Sequence, residues 1–167
     1  MKKYELTEET VTVYGKTLYR IRAVRDFGSV KTGEFGGYIE KEENLSHFDN
    51  AWVCGDAWVF GNARVCGDAK VYGNARVYDD AWVSGNAEVF NTRHFFVQGP
   101  IGSRNGFITF YRTKDNTVEV RCGCFSGSLQ KFVDRVEETH GGSRYEKEYK
   151  IAAELAKVCI RLEGESR

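Results

Sequence analysis

The sequence predicts a mainly β protein built on a parallel β-helix of hexapeptide period. An N-terminal β-hairpin caps it, and a C-terminal α+β module of one β-hairpin and two helices follows. Three observations carry this: seven tandem hexads from Asn50 to Asn91, alternating apolar and polar residues before them, and helical apolar spacing after Leu129. The expected division is 1–37 for the cap and lead-in, 38–92 for the β-helix, and 93–167 for the C-terminal module.

The 167 residues are 41% hydrophobic and 29% charged, the balance of a folded soluble protein. No apolar run is long enough to span a bilayer, and the start Met1-Lys2-Lys3-Tyr4-Glu5-Leu6 lacks the apolar core of a signal peptide. Five cysteines, an odd number, fit a reducing cytoplasm better than a disulfide framework. A net charge of zero argues against a nucleic-acid polymer or an anionic membrane as partner.

Residues 4 to 27 alternate apolar and polar side chains around a break at Tyr14-Gly15-Lys16, the pattern of a hairpin. A hairpin here would cover the first coil, whose open backbone edge otherwise invites association. Gly33, Gly36 and Gly37 mark the entry to the repeat, with Ile39 and Leu45 as degenerate inward positions.

The hexads read NAWVCG, DAWVFG, NARVCG, DAKVYG, NARVYD, DAWVSG and NAEVFN. Strand alternation turns Ala and Val inward and the residues after them outward. Gly before Asn or Asp turns each corner. Three hexads close one coil, so outward residues one coil apart should stack. Trp58 then meets Arg76 and Arg64 meets Trp82, while Trp52, Lys70 and Glu88 form a third column. Cys54 falls on Tyr72 and Cys66 on Ser84, so no ladder disulfide is expected. Trp52, Trp58, Trp82, Phe60, Tyr72, Tyr78 and Phe90 all face outward. That is too much apolar surface to leave wet, and the flanks, another protomer or a ligand must cover it.

After Asn91 the period ends. Phe95-Phe96-Val97 reads as a strand, Gly99 to Gly106 as a loop, and Phe107–Arg112 with Val118–Cys124 as a hairpin about Lys114-Asp115-Asn116. Leu129, Phe132, Val133 and Val136 have helical spacing up to His140-Gly141-Gly142. Ser143 and Glu146 make a capping box for a second helix running to about Leu162.

Chemistry is sparse. Cys122 and Cys124 would lie on one side of a strand with no further ligand pair at zinc spacing, so no metal or other cofactor is expected, and no catalytic motif stands out. The best candidate is an anion site. Arg93, Arg104, Arg112, Lys114, Arg121 and Lys131 outnumber Asp115 and Glu119 between residues 93 and 131. Ser126, Gly127 and Ser128 open a helix whose free N–H groups suit phosphate. Ser103 and Arg104 would supply a second clamp, and Phe107, Phe110, Tyr111 and Phe125 a surface for a planar base. The plain alternative makes Ser126 or Ser128 a helix cap and Arg104 a loop residue.

The hexads resemble those of the left-handed parallel β-helix proteins, a group rich in trimeric acyltransferases. The whole chain resembles a hexapeptide-repeat family of phage and prophage proteins of Gram-positive bacteria. The likeness covers Asp26-Phe27-Gly28, the stretch from Gly36-Gly37-Tyr38 to Leu45-Ser46, the Asn-Ala-x-Val repeat, and Phe107 to Cys124 followed by helices. It implies a left-handed coil, a homo-oligomer with the trimer favoured, and the cytoplasm of an infected host. A non-enzymatic protein that sequesters a nucleotide-derived host immune signal is the leading expectation. An acyl-CoA-dependent acyltransferase is the alternative, although the histidine and excursion loop of those enzymes are missing from the hexads; His47 and His94 flank the repeat, and His140 lies at a helix end. A structural self-assembly module is the third reading.

Overall fold

The computed structural model describes residues 1–164. The chain forms β1 (Tyr4–Val13), β2 (Lys16–Ala23) and β3 (Phe35–Ile39), followed by seven two-residue strands, one per hexad. These are β4 (Trp52–Val53), β5 (Trp58–Val59), β6 (Arg64–Val65), β7 (Lys70–Val71), β8 (Arg76–Val77), β9 (Trp82–Val83) and β10 (Glu88–Val89). Strands β11 (Phe95–Ile101), β12 (Gly106–Arg112), β13 (Val118–Cys122) and β14 (Phe125–Ser128) and helices α1 (Leu129–His140) and α2 (Arg144–Cys159) complete it. The protein is mainly β with a C-terminal two-helix module.

Each of the first four hexads pairs in parallel with the third hexad after it, and β3 pairs in the same way with β5, giving the ladders β3-β5-β8, β4-β7-β10 and β6-β9. Every hexad Ala and Val is at most 1% exposed. The corner glycines Gly55, Gly61, Gly67, Gly73 and Gly85 have φ between 58° and 69°. Asp79, which replaces glycine in the fifth hexad, takes the same left-handed turn at φ 58°. Asn and Asp alternate as hexad openers, and the pairing step is three hexads, an odd number. Each Asp therefore stacks on an Asn: Asn50 donates to Asp68 (3.0 Å) and Asn62 to Asp80 (3.2 Å). Like charges never meet in these columns.

The expected outward stacking is present, with the Arg76 guanidinium 4.1 Å from the Trp58 ring centre and that of Arg64 5.8 Å from Trp82. Of the outward aromatics, the chain itself buries Trp52 and Phe60 and partly covers Trp58, Tyr72, Trp82 and Phe90. Trp52 packs against Phe27 and Tyr4, and Phe60 stacks on Tyr78 beneath Val13 and Leu18.

The hairpin turns at Tyr14 and Gly15, both at positive φ as a two-residue turn needs. Strand β2 pairs antiparallel with β3, so the hairpin extends one of the three ladders. Lys3, fully buried, donates from Nζ to the carbonyls of Asp49 (2.8 Å) and Ala51 (2.7 Å).

At the other end the last hexads have no following coil to accept their N–H groups, and side chains replace it. Arg76 N donates to Thr92 Oγ1 (3.3 Å), Trp82 N to Thr109 Oγ1 (2.9 Å), and Phe90 N to His94 Nδ1 (3.3 Å). Paying these orphan donors is what the start of the C-terminal module does for the repeat.

That module departs from the expected hairpin in four ways. Its sheet has four antiparallel strands in the order β11-β12-β13-β14. Strand β11 runs through Gly99 and Pro100 to Ile101 rather than ending in a loop there; Pro is tolerated because β11 is an edge strand. Cys122 and Cys124 do not share a strand face, because Gly123 (φ 56°) turns the chain into β14 and leaves Cys124 exposed in the turn. Helix α2 ends at Cys159, where Ile160 turns extended and buries itself in the core. One sheet face presents Thr109 and Tyr111 to the last coil; the other packs Ile108, Phe110 and Val120 against Phe132, Val136 and Ala156 of the helices.

Candidate functional site

The C-terminal sheet and helices overhang one corner of the repeat and enclose a cleft of about 1360 Å³. The repeat side supplies Lys41, Glu43, Arg64, Asp80 and Trp82; the sheet supplies Ser103, Arg104, Phe107, Arg121 and Ser126; the helices supply Phe132, Arg135, His140 and Tyr149. Five cations thus face two carboxylates in a protein of zero net charge. Arg135 lies 4.0 Å from Glu138, but Lys41, Arg64, Arg104 and Arg121 have no carboxylate within ion-pair distance among the described residues. Uncompensated charge of one sign in a cleft focuses a positive potential there.

Two rigid devices hold the cations. Trp82 is flanked by Arg64 at 5.8 Å and Arg121 at 3.8 Å, which continues the outward Arg–Trp column of the repeat into the module. Arg121 reaches Trp82 because it pairs across the sheet with Thr109, the residue that caps Trp82 N. The turn bearing Ser103 and Arg104 is pinned on α2: Gly102 N donates to Glu148 Oε2 (2.9 Å), and a Cβ at Gly102 would collide with the Tyr149 hydroxyl. An aromatic row also lines the cleft, in which Phe125 and Phe132 are 5.5 Å apart, Phe132 and Tyr149 5.7 Å, and Tyr149 and His140 5.6 Å.

Of the residues the sequence singled out, Ser103, Arg104, Phe107, Arg121, Phe125 and Ser126 line this cleft, and Arg112, Tyr111, Phe110, Gly127 and Ser128 do not. Arg112 faces the far side of the module, buried against Phe90 and bound to Glu163 (3.0 Å) and the Glu88 carbonyl (3.4 Å), so its charge is already spent. Tyr111 is wholly buried under the last coil, its hydroxyl 3.3 Å from Ser84 Oγ. Phe110 is consumed in the helix-facing core. Ser126 and Gly127 belong to β14 rather than to a helix start, and Ser128 is the cap of α1, accepting from Lys131 N (3.2 Å). The helix start the sequence pointed to is thus Ser128 and α1 alone, and the cleft draws its cations from the repeat side, the sheet and α1.

Sequence reasoning missed Lys41, Arg135, His140, Phe132 and Tyr149 as neighbours of one site. The signal for Arg64 and Trp82 was present in their stacking, read there as surface packing. His47 and His94 are both engaged as acceptors. His47 Nδ1 takes Lys3 N (3.3 Å) while its ring stacks on Tyr4, and His94 Nδ1 takes Phe90 N. Burial lowers the pKa of both, that of His94 to about 4 with the Arg112 charge adding to it. Among the described residues no cluster of three His, Cys, Asp or Glu side chains is placed to hold a metal ion, and no helix is long and apolar enough to cross a membrane.

The family model of the YdcK β-solenoid repeat matches residues 69–85, a stretch inside the hexads, so the repeat is similar to that solenoid unit. No curated protein matches the chain.

Proposed function

We propose that this is a non-enzymatic binding protein that holds a small, anionic, nucleotide-like ligand in the cleft and retains it unchanged. The observation that supports this is the convergence of four carboxylate-free cations and a row of aromatic side chains on one cleft. Cations and guanidinium forks suit phosphoryl oxygens, and stacked rings suit a planar base. Retention requires complementarity and slow release, with no general acid or base.

In this reading the repeat winds as a left-handed parallel β-helix, and the protein works as a homo-oligomer, a trimer by its resemblance to such proteins. The resemblance to phage proteins gives the biological sense: sequestration of a nucleotide-derived immune signal in the cytoplasm of an infected bacterium. The acyltransferase alternative has one group in its favour, His140 on the cleft wall, since His47 and His94 are engaged at the ends of the repeat.

The test is to incubate the protein with a pool of nucleotides, cyclic nucleotides, ADP-ribose derivatives and acyl-CoAs, recover bound material by filtration, release it by denaturation and identify it by mass spectrometry. An intact nucleotide recovered near stoichiometrically supports the proposal. Converted acyl-CoA in the free pool supports the enzyme instead, and nothing bound or converted leaves self-assembly.

A further inference from the structure

We infer that the cleft is built for two linked phosphoryl groups, a diphosphate, and that this group bridges the repeat and the C-terminal module. The inference rests on reading the cleft as an anion site and specifies what anion it takes.

Arg64 and Arg121 approach Trp82 from opposite sides. Arg64 belongs to the preceding coil, since Arg64 and Trp82 are ladder partners; Arg121 belongs to the sheet that closes the last coil. A guanidinium lying over a ring spends its flat face on the indole and keeps its N–H fork directed outward in its own plane. Neither fork has a hydrogen-bond acceptor or carboxylate among the described residues, and the buried Nε of Arg121 has no partner at all. Leaving a buried donor of a charged group unpaired is costly, and a ligand oxygen removes that cost. Arg112, the buried arginine of this sheet, shows the contrast: its nitrogens reach Asn116 Oδ1, the Glu88 carbonyl and Glu163.

Each guanidinium fork matches two oxygens of one phosphoryl group, so two forks fit two such groups. Arg104, on its pinned turn, adds a third fork from the module.

The test is calorimetric titration of the full chain with inorganic phosphate, pyrophosphate, AMP and ADP, using wild type, Arg64→Gln and Arg121→Gln. Arg64 is an exposed outward residue of the repeat, so its variant keeps the fold; thermal melting checks both variants. The expected result is ADP binding about tenfold or more tighter than AMP, and pyrophosphate tighter than phosphate, with either substitution collapsing the ADP-to-AMP ratio toward one. Equal affinity for AMP and ADP, or a ratio untouched in a folded Arg64→Gln protein, overturns the diphosphate and leaves the anion site standing. Failure of all four probes to bind overturns both.

Discussion

Acidification should loosen the far end of the repeat through one residue, His94. The residue is 6% exposed, and its Nδ1 accepts the N–H of Phe90, which has no following coil to bond. Protonation would turn that acceptor into a donor facing a donor, beside the buried charge of Arg112. The folded pKa, about 4, lies below the ordinary 6.5, so between those values the unfolded chain binds more protons than the folded one. Stability is therefore unaffected above about pH 6.5 and falls as the pH drops toward 4. A shift from 6.5 to about 4 at about 1.36 kcal/mol per unit costs about 3 kcal/mol once complete. Most of that cost is present at about pH 4.5. His94→Gln keeps an acceptor for Phe90 N and cannot titrate, so it removes this pH dependence while other groups, including His47, titrate alike in both proteins. Urea unfolding at about pH 7.5 and about pH 4.5 should show wild type losing about 2–3 kcal/mol more than the variant. Equal losses in the two proteins would refute the assignment of His94 as a neutral cap.

Asp79→Gly should stabilise the protein by about 1 kcal/mol in the same unfolding assay, because Asp79 alone among the corner positions holds a left-handed turn with a side chain. Asn62→Asp, which places a carboxylate over Asp80, should destabilise by about 0.5–1 kcal/mol, and added salt should shrink the loss. Gly102→Ala must strain a φ of 75° and displace Tyr149, so melting should fall by several degrees and the pool-binding assay should lose its retained ligand. Lys3→Met leaves the carbonyls of Asp49 and Ala51 without their donor and should cost about 2–3 kcal/mol at neutral pH. Burial lowers the Lys3 pKa to about 8, so wild-type stability should rise between about pH 8 and 10.5, and this rise should vanish in the variant.

The hexads were legible because every one of them meets the same surroundings. A local period of six fixes which side chains point in, and the ladder partners follow by counting three hexads, as Trp58 on Arg76 and Arg64 on Trp82 show. Helices α1 and α2 were legible from apolar spacing and from the caps Ser128 and Ser143, which are local interactions. Where a single residue decided the local path, the period misled. Gly123 turns the chain between Cys122 and Cys124, and alternation across β12 sends Tyr111 toward the repeat and Phe110 toward the helices.

Segment chemistry was therefore written in the sequence, and the candidate site was not. The positive charge between residues 93 and 131 and the glycine and serine of the Arg104 turn were visible, but their partners Lys41, Arg64 and Trp82 lie up to 80 residues away along the chain. Which arginines stay free to meet a ligand depends on docking. Arg112 is spent on Glu88 and Glu163, and Arg121 lands on Trp82, only because β12 seats its Thr109 on the last coil. The repeat determines its own stacking through near neighbours in the chain; the cleft arises from contacts between surfaces that no local pattern records.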